Sequence, residues 1–423
     1  MAWLFIVTSL VNIAHLGAYL AGANIYDIVR MRDASKVKNR RWYKKAPLVS
    51  VIIPTYNGSK VIERCLDSIR KNTYKNKNVE VIVHNDMSTD NLSQVVRAYK
   101  KKYKNFNVRL IDRKTRAGKS GGANYAIKRY AKGEFIMTLD DDSILKRDAI
   151  YNAVLHFGDP KVVGVAANVR MIEEKSAIGL LQRFEHIINY RSKKFYSLTN
   201  SEMIIGGVAS TYRRSVMQKV GFYDTDTITE DIGLSMKIVA LGNKDHRLVY
   251  GVDVLASTEP VENFKTLLKQ RYRWKLGNLQ NVKRQMHLLF NTDKKFSKML
   301  TFYRMPFAIL GEILLLIEPI VVIYLLIRSF QVMNPAVFVG AYLTIMLYIL
   351  LVVWPDEHLT LKGKLKASVY TPSMYFVFYL MNVVQIVSLV RCLINFKKIV
   401  APKPGSGHWT TFTRTAKQKV AVT

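Results

Sequence analysis

The chain has 423 residues and is strongly basic, with 64 Lys and Arg against 31 Asp and Glu and a formal net charge of +33. Such a balance fits nucleic acid, anionic lipid headgroups or phosphorylated substrates as partners. The only two cysteines, Cys65 and Cys392, are far apart and lack metal-type spacing, which excludes a disulfide framework and a cysteine-based zinc site.

Four apolar stretches predict helices that enter a membrane. They are residues 1–26, 313–327, 335–354 and 371–390, which hold almost no charged side chain. Each approaches the about 20 residues that a membrane-spanning helix needs. We predict an amino-terminal anchor over residues 1–28 that is retained, because no basic segment precedes it and no Ala-x-Ala-like cleavage site follows. A carboxy-terminal membrane region is predicted over residues 301–395, with Glu318 as a candidate pore residue.

Basic residues crowd beside these apolar stretches. Residues 29–47 form a basic juxtamembrane linker, with a single acid between residues 30 and 45. The positive-inside rule places this linker, and the domain after it, in the cytoplasm of an integral protein of the cell membrane. Contact with anionic lipid explains the charge, so no nucleic-acid partner is expected. The tail at residues 396–423 is also basic, which favours the cytoplasm for the tail as well. Because one anchor and three further spans would leave the tail outside, one apolar stretch would then be re-entrant or interfacial.

Between linker and membrane region, short β-branched runs alternate with helical patterns and predict an α/β domain over residues 48–258 with a mostly parallel sheet. The predicted strands are 49–53, 79–83, 107–111 and 135–139. Ligands of such sheets bind beyond the carboxyl ends of the strands. The absence of a Gly-x-Gly-x-x-Gly or Walker loop after the first strand argues against dinucleotide and P-loop folds.

Residues 176–290 are predicted to be more helical. Within residues 259–300, the stretch 261–289 has one apolar and one basic face, which is typical of a helix lying in the membrane interface. The alternative is a surface helix whose basic face is solvated.

Three consecutive aspartates follow the fourth predicted strand. Their mutual repulsion would be relieved by Mg²⁺ or Mn²⁺, which take one or two carboxylates together with substrate phosphate oxygens. Alternate residues of an extended chain point the same way, so Asp140 and Asp142 could face one ion. The alternative is that the cluster only caps a helix beginning at Ile144.

Two further segments suit a nucleotide. Asp86 follows the second predicted strand, where its carboxylate can accept from a base N–H or a ribose hydroxyl; the alternative is turn chemistry. The glycine-rich stretch around Lys119 precedes a helix and suits a phosphate, although many helices begin this way.

Two motifs lie in the second half of the domain. Thr229-Glu230-Asp231 precedes an amphipathic helix, and a carboxylate there could remove the proton of an acceptor hydroxyl. Helix energetics would select the same residues with Thr229 as N-cap. Later, Arg273 could grip a diphosphate and Trp274 could support a sugar ring, or the pair could merely anchor a helix at the membrane.

Taken in order, these motifs resemble the family-2 inverting glycosyltransferases of GT-A fold, in particular the processive membrane synthases. Residues 51–57 resemble the opening strand of that family, whose usual acid after Asn57 is Gly58 here. The resemblance implies nucleotide-sugar contacts at Thr55, Tyr56, Asp86, Lys119, Asp140, Gln270, Arg273 and Trp274. It implies metal ligands at Asp140 and Asp142, an acceptor-side segment at Gly206 and Gly207, and a base motif at Glu230 and Asp231, with Asp231 as the base.

The Gln-x-x-Arg-Trp box at residues 270–274 is typical of the members that extend polymers. The layout resembles the poly-β-1,6-N-acetylglucosamine synthases most, with hyaluronan and cellulose synthases as relatives. The implied partners are a UDP-sugar, most simply UDP-GlcNAc, a growing glycan, membrane lipid and a small accessory membrane subunit. Two alternatives remain: a transferase that adds one sugar to a polyprenyl phosphate, and a membrane-tethered nucleotide binder without activity.

Overall fold

The computed structural model describes residues 2–37, 46–172, 176–332 and 335–402. Most of the predicted basic linker and basic tail, residues 38–45 and 403–423, therefore lies outside the described residues.

Eight strands form one sheet. They are β1 (Val49–Thr55), β2 (Val79–Asn85), β3 (Val108–Asp112), β4 (Phe135–Thr138), β5 (Ile144–Leu145), β6 (Val162–Met171), β7 (Ser210–Arg213) and β8 (Arg247–Thr258). The helices of the amino-terminal part are α1 (Ala2–Val37), α2 (Ile62–Arg70), α3 (Leu92–Lys102), α4 (Gly118–Arg129), α5 (Ala149–His156), α6 (Ala177–Leu198) and α7 (Arg214–Lys219). They are followed by α8 (Glu230–Ala240), α9 (Phe264–Arg284), a π-helical turn (Met299–Arg304), α10 (Met305–Val332), α11 (Ala336–Val353), α12 (Leu361–Ile394) and α13 (Phe396–Val400).

The strand order is β3-β2-β1-β4-β7-β6-β8-β5. The four predicted strands are confirmed as β1 to β4, and they are parallel neighbours, as alternation with helices requires. The short strand β7 is antiparallel to both β4 and β6. The predicted α/β class with a mostly parallel sheet is therefore confirmed, while β6, β7 and β8 were not located from the sequence.

Both faces of the sheet are covered. Successive side chains of β1 point to opposite faces, so Ile52 packs with α4 and α8 while Val51 and Ile53 pack with α2, α3 and α5. Every residue of β1 and of β2 is buried. Cys65 on α2 is fully buried, as expected for a small residue of a helix core. The ends of β1, β2 and β4 are thereby held rigidly at one edge.

The helix predicted to begin at Ile144 is absent. Residues 144 and 145 form β5 instead, pairing antiparallel with Ser257 and Ala256 of β8, and α5 begins only at Ala149. Both side chains are buried, at 4% and 0% exposure, so tertiary packing selects the extended conformation here. The three aspartates consequently do not precede a helix, and the capping alternative is removed.

Among the described residues, one helix, Met299–Val332, is long and apolar enough to cross a membrane. A second results if Leu361–Met374 and Tyr379–Ile394, which are bent by 63° relative to each other, form one broken span. Helix α11 carries a shorter apolar stretch, Tyr342–Val353. The predicted number of spans and the side of the tail stay predictions.

Candidate active site

A cavity lies at the sheet edge where β1 and β4 end, and it brings distant motifs together. Its walls are formed by Pro54, Lys119, Ala123, Thr138, Gly207, Tyr223, Glu230 and Asp231. These residues come from β1, α4, β4, the segment before β7, the segment before α8 and α8 itself. Four of the predicted site residues thus share one cavity at the carboxyl end of parallel strands, where ligands of such folds bind.

Lys119 is the residue that connects the two acidic motifs. Its Nζ lies 2.7 Å from Asp140 Oδ1 and 3.3 Å from Glu230 Oε1. Burial opposes the positive charge, but Asp140, Glu230 and Asp231 together raise the pKa of Lys119 above its usual value. The side chain is therefore a permanent ammonium, placed between the aspartate cluster and the base motif.

Asp231 has the properties of a carboxylate base. Burial and the neighbouring Glu230 raise the pKa of Asp231 to about 6, against the opposing effect of Lys119. Its Oδ1 accepts a hydrogen bond of 2.9 Å from the backbone N–H of Ile232, which fixes the side chain in the first turn of α8. A carboxylate with a raised pKa is a stronger base and is still ionised at neutral pH.

The three aspartates divide into one structural residue and two that remain partly exposed. Asp141 is fully buried and accepts a hydrogen bond from the Thr55 hydroxyl at the end of β1. Asp140 and Asp142 remain accessible, as the alternation of an extended chain predicts. Burial, Asp140 and Glu259 raise the pKa of Asp142 to about 7.

Gly58 has no room for the acid that the family usually carries there. An added Cβ would lie 2.2 Å from Asp141 Oδ2 and 2.5 Å from Thr55 Oγ1. The volume that a longer side chain would need is thus taken by the Thr55–Asp141 pair.

Asp86 holds the loop that leads into α4. Its carboxylate, which is 1% exposed, accepts from the backbone N–H groups of Ala117 at 2.6 Å and Gly118 at 3.0 Å. Arg116 extends from this loop over the Tyr56 ring, 4.0 Å from its centroid. The structure therefore gives Asp86 a local structural role, and its predicted contact with a nucleotide stays a prediction.

The loops after β1 and β2 are joined by hydrogen bonds. The N–H of Asn57 donates to Ser88 Oγ at 2.9 Å, and Asn57 Oδ1 accepts from the N–H of Thr89 at 2.8 Å. Asn57 and Met87 adopt positive φ values of 56° and 62°. Such left-handed residues are uncommon outside glycine and cluster at binding sites.

Of the two predicted acceptor-side glycines, only Gly207 lies against the charged groups. A Cβ there would lie 3.3 Å from Lys119 Nζ and 3.4 Å from Asp231 Oδ2, whereas nothing lies within 4 Å of one at Gly206. Ser235 of α8 connects the segment before these glycines to α8. Its Oγ accepts a hydrogen bond from the N–H of Ile205 at 3.0 Å and donates one to the carbonyl of Asp231 at 2.7 Å.

Thr229 precedes α8, but its side chain makes no capping hydrogen bond. The Thr229 hydroxyl instead accepts a hydrogen bond of 3.2 Å from Asn281 of α9. The alternative explanation was that Thr229 is present only to cap α8. For the Thr229 side chain this alternative is wrong, because its hydroxyl does not cap the helix.

The Gln-x-x-Arg-Trp box lies on α9, away from the walls of the cavity. Residues three and four apart share a helix face, and this face carries Gln270, Arg273, Trp274, Gly277 and Asn281. Gly277 lies directly against Thr229, since a Cβ at that glycine would be 2.2 Å from the Thr229 hydroxyl. Arg273 is one turn, or about 6 Å, before this contact. Within the described residues, no hydrogen bond or ion pair involves its guanidinium.

Arg271 was missed by sequence reasoning because it occupies a variable position of the box. It is 3% exposed, pairs with Glu185 of α6 at 2.6 Å, and lies 4.3 Å from the centroid of the Trp274 ring. Its spacing of three residues from Trp274 was the available signal.

Two other residues of the site, Tyr223 and Glu259, were also not predicted from the sequence. Tyr223 lines the cavity and donates a hydrogen bond of 3.3 Å to Thr138 Oγ1. Glu259, which acts on Asp142, pairs with Arg64 at 2.6 Å. Nothing in the local sequence marks them, since each depends on the tertiary fold.

A divalent cation fits the aspartate cluster. Two partly accessible carboxylates lie close enough for Asp140 to raise the pKa of Asp142, and a cation would relieve this repulsion. No group of three or more His, Cys, Asp or Glu within the described ranges could hold a metal ion by itself. Any ion here would need further ligands from substrate, as Mg²⁺ typically does.

Comparison with known proteins identifies a domain within the chain. Residues 50–221 match the family model described as glycosyl transferase family 2. The chain is 31% identical over 248 residues to a poly-beta-1,6-N-acetyl-D-glucosamine synthase of Staphylococcus epidermidis, covering 58% of each protein. It is 30% identical over 271 residues to the enzyme of that name from Staphylococcus aureus strain COL, covering 64% of this chain and 63% of the relative. The chain thus matches about three fifths of the length of these relatives.

A solved structure shows the same fold. A mannosyltransferase from Pyrobaculum calidifontis, in complex with GDP-Man and Mn²⁺, superposes with a TM-score of 0.51 at 20% identity, covering 81% of this chain and 99% of that protein. The predicted GT-A class is thereby confirmed. Residues 50–221 form a glycosyltransferase domain of family 2, which confirms the family and the enzyme class that the motifs predicted.

Proposed function

We propose that the protein transfers N-acetylglucosamine from UDP-GlcNAc to a growing polysaccharide at the cell membrane, with inversion at the anomeric carbon. The observation that carries this proposal is the position of Lys119 between Asp140 and Glu230, in a cavity that Asp231 also lines. A group for the diphosphate and a group for the acceptor proton thereby lie side by side. The choice of sugar is supported by the two staphylococcal relatives, which are named for poly-N-acetylglucosamine.

In the proposed reaction, Asp231 removes the proton from an acceptor hydroxyl while the hydroxyl oxygen bonds to the anomeric carbon of the donor. The bond from that carbon to the diphosphate oxygen breaks, and UDP leaves with the electron pair. Lys119 and Arg273 offset the charge that develops on the leaving diphosphate, an effect that usually dominates such catalysis. Asp140 and Asp142 would hold Mg²⁺ or Mn²⁺, which when bound supplies positive charge opposite the diphosphate.

The membrane is the proposed place of the reaction. The apolar helix Met299–Val332 and the bent pair that follows support attachment to a bilayer. Helix α9 packs against both α8 and α12 and thus lies between the site and these helices. We propose that the catalytic domain faces the cytoplasm, where the basic residues of the linker favour it. Delivery of the product into or across the bilayer, and an accessory subunit, are part of the same proposal.

The test is transfer by the purified full chain, offered UDP-GlcNAc, UDP-Glc and UDP-GlcA with and without Mg²⁺. We expect polymer from UDP-GlcNAc, released UDP, and dependence on the cation. A product with a single sugar on a polyprenyl phosphate would contradict polymer synthesis, and no UDP release from any donor would contradict transfer itself.

The Asp231→Asn variant tests the base. It should lose transfer, because the amide cannot take the acceptor proton, yet keep UDP and metal binding. Near wild-type synthesis by this variant would refute the assignment of Asp231.

A further inference from the structure

The segment directly before the base motif, residues 227–229, is held by two buried amide side chains of α9. Asn281 Nδ2 lies 3.1 Å from both Thr227 Oγ1 and the carbonyl of Thr229, and 3.2 Å from Thr229 Oγ1. Gln280 Oε1 accepts from the N–H of Ile228 at 3.2 Å and from the Thr227 hydroxyl at 3.4 Å. Both amides are 1% exposed. Every residue of the segment is therefore bonded to α9.

This contact leaves little space for movement. At Gly277, an added Cβ would lie 2.2 Å from Thr229 Oγ1, and at Gly233 of α8 it would lie 3.0 Å from Asn281 Oδ1. The two helices thus meet at glycines, one on each side of the Asn281 amide. A closely packed contact of this kind transmits displacements, because there is no void to absorb them.

The same amides hold the start of the helix that carries Asp231. Thr229 immediately precedes the first turn of α8, its carbonyl accepts the first helical hydrogen bond from Gly233 at 3.1 Å, and its own side chain does not cap this end. Asn281 thus holds, from outside the helix, the carbonyl on which the first turn of α8 is built.

Gln280 also connects this segment to the carboxy-terminal helices. Its Nε2 donates 2.8 Å to the carbonyl of Lys398 on α13, and Lys283 donates 3.2 Å to the carbonyl of Val400. Helix α13 follows directly on α12, one of the apolar helices. The Gln280 side chain thus joins the segment before the base motif to the helix that follows α12.

We propose that Gln280 and Asn281 are positioning residues that set where the Asp231 carboxylate lies relative to the acceptor hydroxyl. This inference rests on the proposed function, because it assigns the residues to the base of that reaction. Neither side chain lines the cavity, and both act through residues 227–229. A misplacement of about 1 Å of a reacting group can cost about 100-fold in rate.

The test compares Asn281→Ala and Asn281→Asp with the control Asn278→Ala in the full chain. Asp has the same shape as Asn but presents only oxygens to the Thr229 carbonyl, so it loses the donor without changing volume. Asn278 lies on the same helix, and no described hydrogen bond links it to residues 227–229. We expect kcat for transfer from UDP-GlcNAc to fall about 100-fold in both Asn281 variants. The KM for UDP-GlcNAc and the Kd for UDP should change less than about twofold, and the control should match the wild type.

The possible outcomes separate the two claims. Wild-type transfer with undiminished kcat in both Asn281 variants would overturn the positioning role alone. Parallel loss of UDP binding in both would also overturn it, because it would show a general structural role. Failure of the wild-type chain to transfer any sugar would refute the proposed function and this inference with it.

Discussion

The charges around Asp231 predict opposite changes in the pH profile for two substitutions. In the wild type, a base with a pKa of about 6 is about 90% ionised at pH 7 and about 10% ionised at pH 5, so kcat should fall about tenfold over this interval. Glu230 raises the pKa of Asp231 and Lys119 lowers it. Glu230→Gln should therefore move the acid limb to lower pH, and Lys119→Met should move it to higher pH, whatever each does to the plateau.

The assay is UDP release at saturating UDP-GlcNAc and saturating Mg²⁺ between about pH 4 and about pH 8, roughly two units on either side of the expected midpoint. Saturating cation keeps Asp142 ionised, so that its own raised pKa does not add a second limb. Activity should fall on the acid side, because protonation of Asp231 below its pKa leaves no group to accept the proton of the hydroxyl. A shift of both variants in the same direction, or an unchanged acid limb in both, would refute the assignment of Asp231 as the titrating base.

Three further substitutions follow from the site. Asp142→Ala should lower cation-dependent turnover by about 10²-fold or more, measured by titration of Mn²⁺ into chelator-treated protein, and unaltered turnover would exclude a metal at this cluster. Thr55→Val removes a donor to the buried middle aspartate and should cost about 1–3 kcal/mol of stability, seen as a lower unfolding midpoint. Gly277→Ala should impair transfer more than UDP binding, since its Cβ meets the Thr229 hydroxyl, whereas Gly311→Ala, with nothing within 4 Å, serves as the matched control.

The first half of the domain could be predicted from its sequence because its signals are local. Strands β1 to β4 are short apolar runs bounded by turn residues, and the helices between them show clear periodicity. Parallel strands with helical connections have few alternatives, so the sheet and its ligand-bearing edge followed from the pattern. Asp86 and Asp140 follow β2 and β4 at this edge, as the strand pattern predicted.

The second half depends on contacts between residues far apart in the chain. β7 has only four residues, and its antiparallel position between β4 and β6 is set by pairing with strands that its own sequence does not indicate. The helix expected at Ile144 failed for the same reason, since partners on β8 select a strand. Propensity is readily overridden where tertiary pairing and burial act together.

The site residues divide in the same way. Motif residues could be found from their order, but Tyr223, Glu259 and Arg271 could not, because their roles arise only when separate elements meet. The sequence showed that Gly58 stands where the family usually carries an acid, but only the structure explained why. Its small size follows from the volume taken by Thr55 and Asp141.

The hydrogen bonds of Asn57 with Ser88 and Thr89 have a mechanical consequence for substrate exchange. Since they fasten the first two loops of the sheet edge to each other, neither loop can swing open alone without breaking several bonds. The donor should therefore bind against these two loops without moving them. Admission and release of the nucleotide would then be governed by the side of the cavity formed by α8, the helix that carries Asp231.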